Sequence, residues 1–174
     1  WHLNVPTVFD IARLKNGNLL ISTDRLVRIP YYLSGLYEMT MTGKVVREYS
    51  MPGGYHHDKI EMADGNLLVL SEDLDSDTVE DTMVLLDRNT GEVLRTWDFS
   101  DFLVPGESKS GSWSAEDWFH CNALWYDANT NSVTLSGRHI NAIVNIDYDT
   151  GKLNWILGDP EGWSDERKRY LFTP

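Results

Sequence analysis

A histidine, an amide and a guanidinium lie close together in the latter half of this sequence, in Trp118-Phe119-His120-Cys121-Asn122 and, one turn later, Ser136-Gly137-Arg138. Side chains alternate along an extended strand, so Trp118, His120, Asn122 and Leu124 are expected on one face and Phe119, Cys121, Ala123 and Trp125 on the other. A hairpin turning near Asn129 sets Arg138 across from His120. The three polar groups then converge, and they suit an oxyanion such as sulfate, phosphate or carboxylate. Arginine offers a planar, permanently charged fork of donors. Imidazole exchanges a proton near neutral pH.

His120 occupies a repeated position. The segment His120-Cys121-Asn122-Ala123-Leu124-Trp125 aligns with His57-Asp58-Lys59-Ile60-Glu61-Met62 and with Phe9-Asp10-Ile11-Ala12-Arg13-Leu14. Each runs into a turn and an apolar stretch ending at serine: NGNLLIS at 16–22, DGNLLVLS at 64–71 and TNSVTLS at 130–136. A second turn follows in each unit, Thr42-Gly43-Lys44, Thr90-Gly91-Glu92 and Thr150-Gly151-Lys152. Phe9 and His57 are 48 residues apart, as are Gly43 and Gly91; the next step is 63 residues for the histidines and 60 for the glycines. Repeats of this length built from short strands predict a β-propeller with four strands per blade. Registering them makes His57, rather than His56, the equivalent of His120. Equivalent innermost positions on neighbouring blades face a central channel, so His57, His120, Asn122 and Arg138 are expected to line one cavity.

The fold expected is therefore all-β, a propeller fragment of three blades at about 5–50, 55–100 and 118–158, with a tail at 159–174 leading to a further blade. Strands are predicted at 6–14, 18–23, 35–41 and 45–50, then 57–62, 66–72, 82–87 and 92–99, then 118–126, 132–138, 142–148 and 152–157. Asn16-Gly17 and Asp64-Gly65 between apolar runs are hairpin signals. Residues 100–117 and 158–170 read as loops, the latter with a short helical turn at 164–170. Long loops on a propeller usually shape the mouth of its channel.

Three blades do not close a ring, which takes roughly four to eight. With Trp1 in place of an initiator methionine and an end at Phe172-Thr173-Pro174 straight after a polar linker, the chain is expected to be part of a longer protein. Its 174 residues are 41% hydrophobic, ordinary for a globular domain. A net charge of −12 argues against nucleic acid, which calls for clustered Lys and Arg. No apolar run approaches the roughly 20 residues that span a bilayer. Cys121 is the only cysteine, so there is no internal disulfide and no cysteine-based metal motif. Glu72 to Asp77 is reminiscent of a calcium loop, but Thr78 stands where an EF-hand needs glycine and Val84 where the closing glutamate belongs, leaving a solvated acidic loop. His2 and His139 have no registered partner and read as structural, and Asp58, matching Asp10, reads as a residue common to the repeats.

The stretch Asp117-Trp118-Phe119-His120-Cys121-Asn122-Ala123-Leu124, together with Ser136-Gly137-Arg138-His139, His56-His57-Asp58 and Ile156-Leu157-Gly158-Asp159-Pro160-Glu161-Gly162-Trp163, closely resembles the bacterial arylsulfate sulfotransferases. The resemblance covers essentially the whole chain. It implies a six-bladed parent propeller with an added β-sandwich domain, exported to the periplasm, which moves sulfuryl groups between phenols without a nucleotide donor and without a cofactor. It also implies a ping-pong mechanism: a histidine attacks the sulfur of an aryl sulfate, phenolate leaves, and the sulfohistidine is discharged to a phenolic acceptor. His57 and His120 match the family's auxiliary histidines, and Asn122 and Arg138 its sulfuryl-binding residues. The site implied has His57, His120 and Arg138 as catalytic groups and Asn122 and His56 at the substrate, with no metal. The family's nucleophilic histidine falls downstream of the matched tail, so these residues alone are expected to lack the covalent step. The partners implied are an aryl sulfate and a phenol, with a homodimer as one option. Two other readings stay open, a non-catalytic propeller module for binding or assembly and a metal-dependent propeller hydrolase or lyase.

Overall fold

A computed structural model describes residues 4, 7, 9–22, 35–51, 53–108 and 114–172. The fold is all-β, and the described residues form three four-stranded antiparallel sheets, each in the consecutive up-and-down order of a propeller blade. The first sheet contains β1 (Ala12–Arg13), β2 (Leu19–Ser22), β3 (Leu36–Met39) and β4 (Val45–Tyr49). The second contains β5 (Lys59–Glu61), β6 (Leu67–Ser71), β7 (Thr82–Leu86) and β8 (Val93–Asp98). The third contains β9 (Cys121–Asp127), β10 (Ser132–Gly137), β11 (Ala142–Asp147) and β12 (Leu153–Gly158). Among the described residues no helix is long and apolar enough to cross a membrane. His2 lies outside the described residues, as does part of the predicted first strand.

The repeated turns fold the same way because they use the same chemistry. In the first two sheets Gly17 and Gly65 adopt φ of +86° and +92°. In both turns the preceding residue, Asn16 or Asp64, accepts from the backbone N–H two positions on, at 3.0 and 2.9 Å. The later turns are closed by Asp87 and Asp147, whose carboxylates accept from Thr90 N at 2.8 Å and Thr150 N at 2.7 Å. Side-chain acceptors of this kind replace ladder bonds that a turn cannot make.

The innermost strands of the second and third sheets are shorter than predicted, β5 opening at Lys59 instead of 57 and β9 at Cys121 instead of 118. The cause is shared. His57 and His120 have left-handed backbones, φ +48° and +52°, which cannot continue a strand ladder.

Contacts divide the chain into two units, Trp1–Leu74 with Met83–Thr96, and Asp75–Thr82 with Trp97–Pro174. The core of the first is built from Leu14, Leu20, Leu36, Tyr49, Tyr55, Leu67, Val69 and Leu86. It also holds an ionic knot: Arg88 reaches Glu38 at 2.8 Å and Glu61 at 2.7 Å. Asn16 and Asn18 donate to the same Glu38 oxygen. Burial alone would raise the Glu38 carboxyl, but Arg88 and the two asparagines hold it at about 2.

In the second unit one face of the third sheet buries Leu124, Val133, Leu135, Val144, Ile146 and Ile156. The segment predicted as loop 100–117 is anchored at its start by a 3₁₀ turn, Phe99–Asp101, whose cap Asp98 accepts from Ser100 N. Phe99 stacks on Phe102 and on Phe119 at 5.6 and 4.7 Å between ring centres. After β12 comes the short helix α1 (Asp165–Lys168), capped by Ser164. The chain then returns to β12, where Ile156 N donates to Tyr170 O and Phe172 N to Ile156 O.

Candidate functional site

In the second unit, the chain reaches β9 through Asp117-Trp118-Phe119-His120, tightly held on both sides. Trp118 donates its indole N–H to buried Asp81 at 2.7 Å, while Phe119 packs on Phe99. The β10–β11 turn approaches from the opposite side, with Arg138 N donating to His120 O and His139 N to Phe119 O, both at 3.1 Å. Gly137 is required at this approach, since a Cβ there would meet Ile140 Cγ1 at 2.5 Å and Phe119 Cε1 at 3.1 Å.

Arg138 therefore sits across from His120 as expected, through a route that the sequence conceals. The β9–β10 hairpin closes with Asp127 paired to Ser132, which by itself would misalign the pair by one residue. A β-bulge restores the alignment, because Ser136 pairs with Ala123 and Gly137 with Cys121, leaving Asn122 as the extra residue. Arg138 Nη1 ends 3.4 Å from His120 Nε2.

The bulge corrects the expected alternation. Asn122 and Ala123 are both exposed while Cys121 and Leu124 are buried, so Trp118, His120, Asn122 and Leu124 do not share one face. The left-handed backbone at His120 breaks the pattern a second time.

Around His120 the structure gathers groups that sequence reading did not single out. Its Nδ1 lies 2.8 Å from Glu80 Oε2 and 2.9 Å from Asp117 Oδ2, both carboxylates being nearly fully buried. His139, read as structural from sequence, is buried and stacked on His120 with ring centres 4.5 Å apart. Its Nδ1 donates to Asp117 O at 2.7 Å. Burial alone would lower the His120 pKa; the hydrogen bonds and negative charges of Asp117 and Glu80 outweigh it and bring the value to about 9. Glu80 also has a left-handed backbone, φ +55°, unusual for a residue of its kind. Nothing in the local sequence announces Glu80, whereas Asp117 carries one signal, its place three residues before a registered histidine.

Asp117, His120 and His139 bring ligand-type atoms within 4.8 Å of one another. The atoms that cluster are poor donors to a cation, however. A carbonyl only accepts, so His139 Nδ1 carries its proton, and His120 Nδ1 faces two carboxylates and carries one as well.

In the first unit, His57 is half-buried and His56 fully buried. His56 Nε2 meets Ser71 O at 3.1 Å and must donate there, while its Nδ1 lies 3.1 Å from His57 Nδ1. His56 is thus placed to orient its neighbour. Tyr55 donates to His57 O at 2.7 Å and accepts from Lys59 Nζ at 2.7 Å. Burial pushes the Lys59 ammonium down to about 8, and Lys59 also donates to Asp10 O, tying the two repeats together. Asp58 accepts from Lys59 N, a structural part of the kind expected.

A family model described as arylsulfotransferase (ASST) matches residues 1–174. The chain belongs to the arylsulfotransferase family. Within that family it is similar to the arylsulfate sulfotransferase AssT of Lelliottia amnigena, 26% identical over 183 aligned positions, covering 79% of this chain. The AssT of Escherichia coli O6:H1 is 24% identical, again over 79% of this chain. This family member spans 30% of the length of each of those relatives. Among solved structures, a protein of unknown function from Bacteroides caccae covers 88% of the chain and 50% of its own, at TM-score 0.59 and 18% identity. Hydrazine synthase of Kuenenia stuttgartiensis covers 93% of the chain and 38% of its own, at TM-score 0.54 and 15% identity. At those identities the two structures share the fold alone.

Proposed function

We propose that this chain is the part of a longer arylsulfate sulfotransferase that binds and activates the sulfuryl group, all within one propeller domain with blades near 5–50, 55–100 and 118–158. Sulfuryl is moved from an aryl sulfate to a phenolic acceptor. In the first half-reaction a histidine nitrogen outside these residues bonds to sulfur as the sulfur–oxygen bond to the aryl group breaks, and the phenolate takes up a proton. In the second, an acceptor phenol loses its proton, its oxygen bonds to sulfur, and the sulfur–nitrogen bond breaks. Arg138 and His120 stabilise negative charge on the transferring oxygens, Asn122 adds a donor, and His57 is a further catalytic group of the longer protein. The observation that carries this reading is the approach of Arg138 Nη1 to His120 Nε2, two cation-forming groups at 3.4 Å just beyond the end of one strand pair, within a family named for this transfer. Export to the periplasm and a homodimeric state belong to the same proposal.

The test uses the longer protein with a nitrophenyl or umbelliferyl sulfate and a phenol. Ping-pong kinetics and a burst of released phenol are expected. Arg138→Ala should lower kcat/KM by about 10²-fold or more with the near-UV circular dichroism unchanged. A folded Arg138→Ala protein that transfers at the original rate would refute the assignment.

A further inference from the structure

We propose that Glu80 and Asp117 are positioning residues, a two-carboxylate clamp that fixes the His120 ring and keeps it a hydrogen-bond-donating cation throughout the neutral range. The inference rests on the sulfuryl-transfer reading and assigns, within it, which imidazole is a fixed charge.

The geometry exceeds what a structural histidine needs. One carboxylate suffices to set a tautomer; His139 Nδ1 donates to Asp117 O at 2.7 Å and lies 3.3 Å from Asp117 Oδ2, a single residue's groups. His120 Nδ1 instead has two, from separate segments: Glu80 ahead of β7 and Asp117 ahead of β9, at 2.8 and 2.9 Å. One N–H cannot fully satisfy two buried anions. A neutral imidazole would leave two negative charges packed together out of water, whereas an imidazolium between them cancels one. Among the described residues of this unit, Arg138, at 3.4 Å from Nε2, and His139, with its ring centre 4.5 Å away, also face the ring. Arg138 opposes a positive His120 but is exposed, which weakens its repulsion relative to the buried carboxylates.

With Nδ1 committed to the clamp, Nε2 is the edge turned toward the guanidinium. The guanidinium, which only donates, points at Nε2 from 3.4 Å; once the ring is protonated both groups donate, and an anionic oxygen that accepts from both takes the place of that contact. The ligand class is thus an oxyanion that accepts from both, such as the sulfuryl end of an aryl sulfate. A histidine held in this way does not accept a proton at neutral pH. Left-handed backbones at both Glu80 and His120 show that the chain accommodates strain to bring the clamp together.

Two measurements test the clamp separately from the reaction. In the chain labelled at its five histidines, assigned by single substitutions, the His120 ring should titrate near 9. Asp117→Asn and Glu80→Gln should each lower that midpoint by about one unit or more, a tenfold change in the protonated fraction per unit. In the longer protein, sulfuryl transfer should fall on the alkaline side with the same midpoint. Both variants should move that limb toward neutrality. A His120 midpoint near its ordinary value, or one that neither variant shifts, overturns the clamp whatever the activity. A raised midpoint that the variants lower, in a longer protein that transfers no sulfuryl group, sustains the clamp and sinks the enzymatic reading. Should one variant fail to fold, the other and the unsubstituted midpoint still decide.

Discussion

His57, Glu80 and His120 all adopt left-handed backbones, and each is a residue for which that conformation is unfavourable without support. The support is visible: Tyr55, itself held by Lys59, donates to the carbonyl of His57, and Arg138 N donates to that of His120. Because the folded state raises His120 from 6.5 to about 9, it binds that proton more tightly than the unfolded chain. The stabilisation is complete below about 6.5 and is lost as pH rises through 9. Urea midpoints should therefore fall between about pH 6 and about pH 9.5, and His120→Asn, which keeps a residue tolerant of this backbone, should flatten that fall. An unaltered slope in the variant would assign the pH dependence to other groups. Gly137 makes a second prediction, since its missing Cβ leaves room for Ile140 and Phe119. Gly137→Ala should cost roughly 1–3 kcal/mol by overpacking, read by thermal unfolding, and should widen the separation of Arg138 from His120.

The strands were legible because their signals are local and recur: the Asn16-Gly17 and Asp64-Gly65 turns, the Thr-Gly turns and the apolar runs between them. Where the strands begin was not, because a left-handed residue at the head of β5 and β9 carries no mark in sequence beyond being histidine. The bulge at Asn122 was equally hidden, since a period-two reading assumes that no residue is added. Arg138 still came to its expected place because the later hairpin closure and the bulge cancel. The acidic stretch was legible in part: Asp73, Leu74, Asp75 and Asp77 are exposed, while Glu72 is buried, its backbone packed so closely on Gly53 that a Cβ there would meet Glu72 O at 1.8 Å. The Arg88 knot joins Glu38 on β3 to Glu61 on β5, a pairing between elements that no spacing suggests. Arg88→Met should destabilise the chain by about 3 kcal/mol, because it strands two buried carboxylates. Glu38, held at about 2 against an ordinary 4.5, contributes stability above 4.5 that is lost as pH falls toward 2. The variant should lose that acid-side dependence, and denaturation followed at about pH 3 and about pH 6 decides it.

The fold class follows from the repeat, since a unit of four short strands buries its faces against copies of itself, and the all-β chain with its three consecutive four-stranded sheets agrees. The candidate site is less local. Glu80 and Asp117 are 37 residues apart in sequence and act on one nitrogen of a third residue, so the constellation exists only once β7 and β9 have been placed. That dependence separates the functional readings that the sequence left open. If His57, His120 and Arg138 serve a nucleophile carried elsewhere in a longer protein, the 174 residues alone should fold and show no turnover of an aryl sulfate, yet bind one weakly through Arg138 and His120. The longer protein should turn it over, and its activity should survive extended treatment with a strong chelator. Activity abolished by the chelator and restored by a divalent cation would instead identify a metal-dependent enzyme, in which His120 Nδ1 would have to leave its two carboxylates. Turnover by the 174 residues themselves, purified free of other sulfotransferases, would place the nucleophile within this chain, where the half-buried His57 is the imidazole to substitute next.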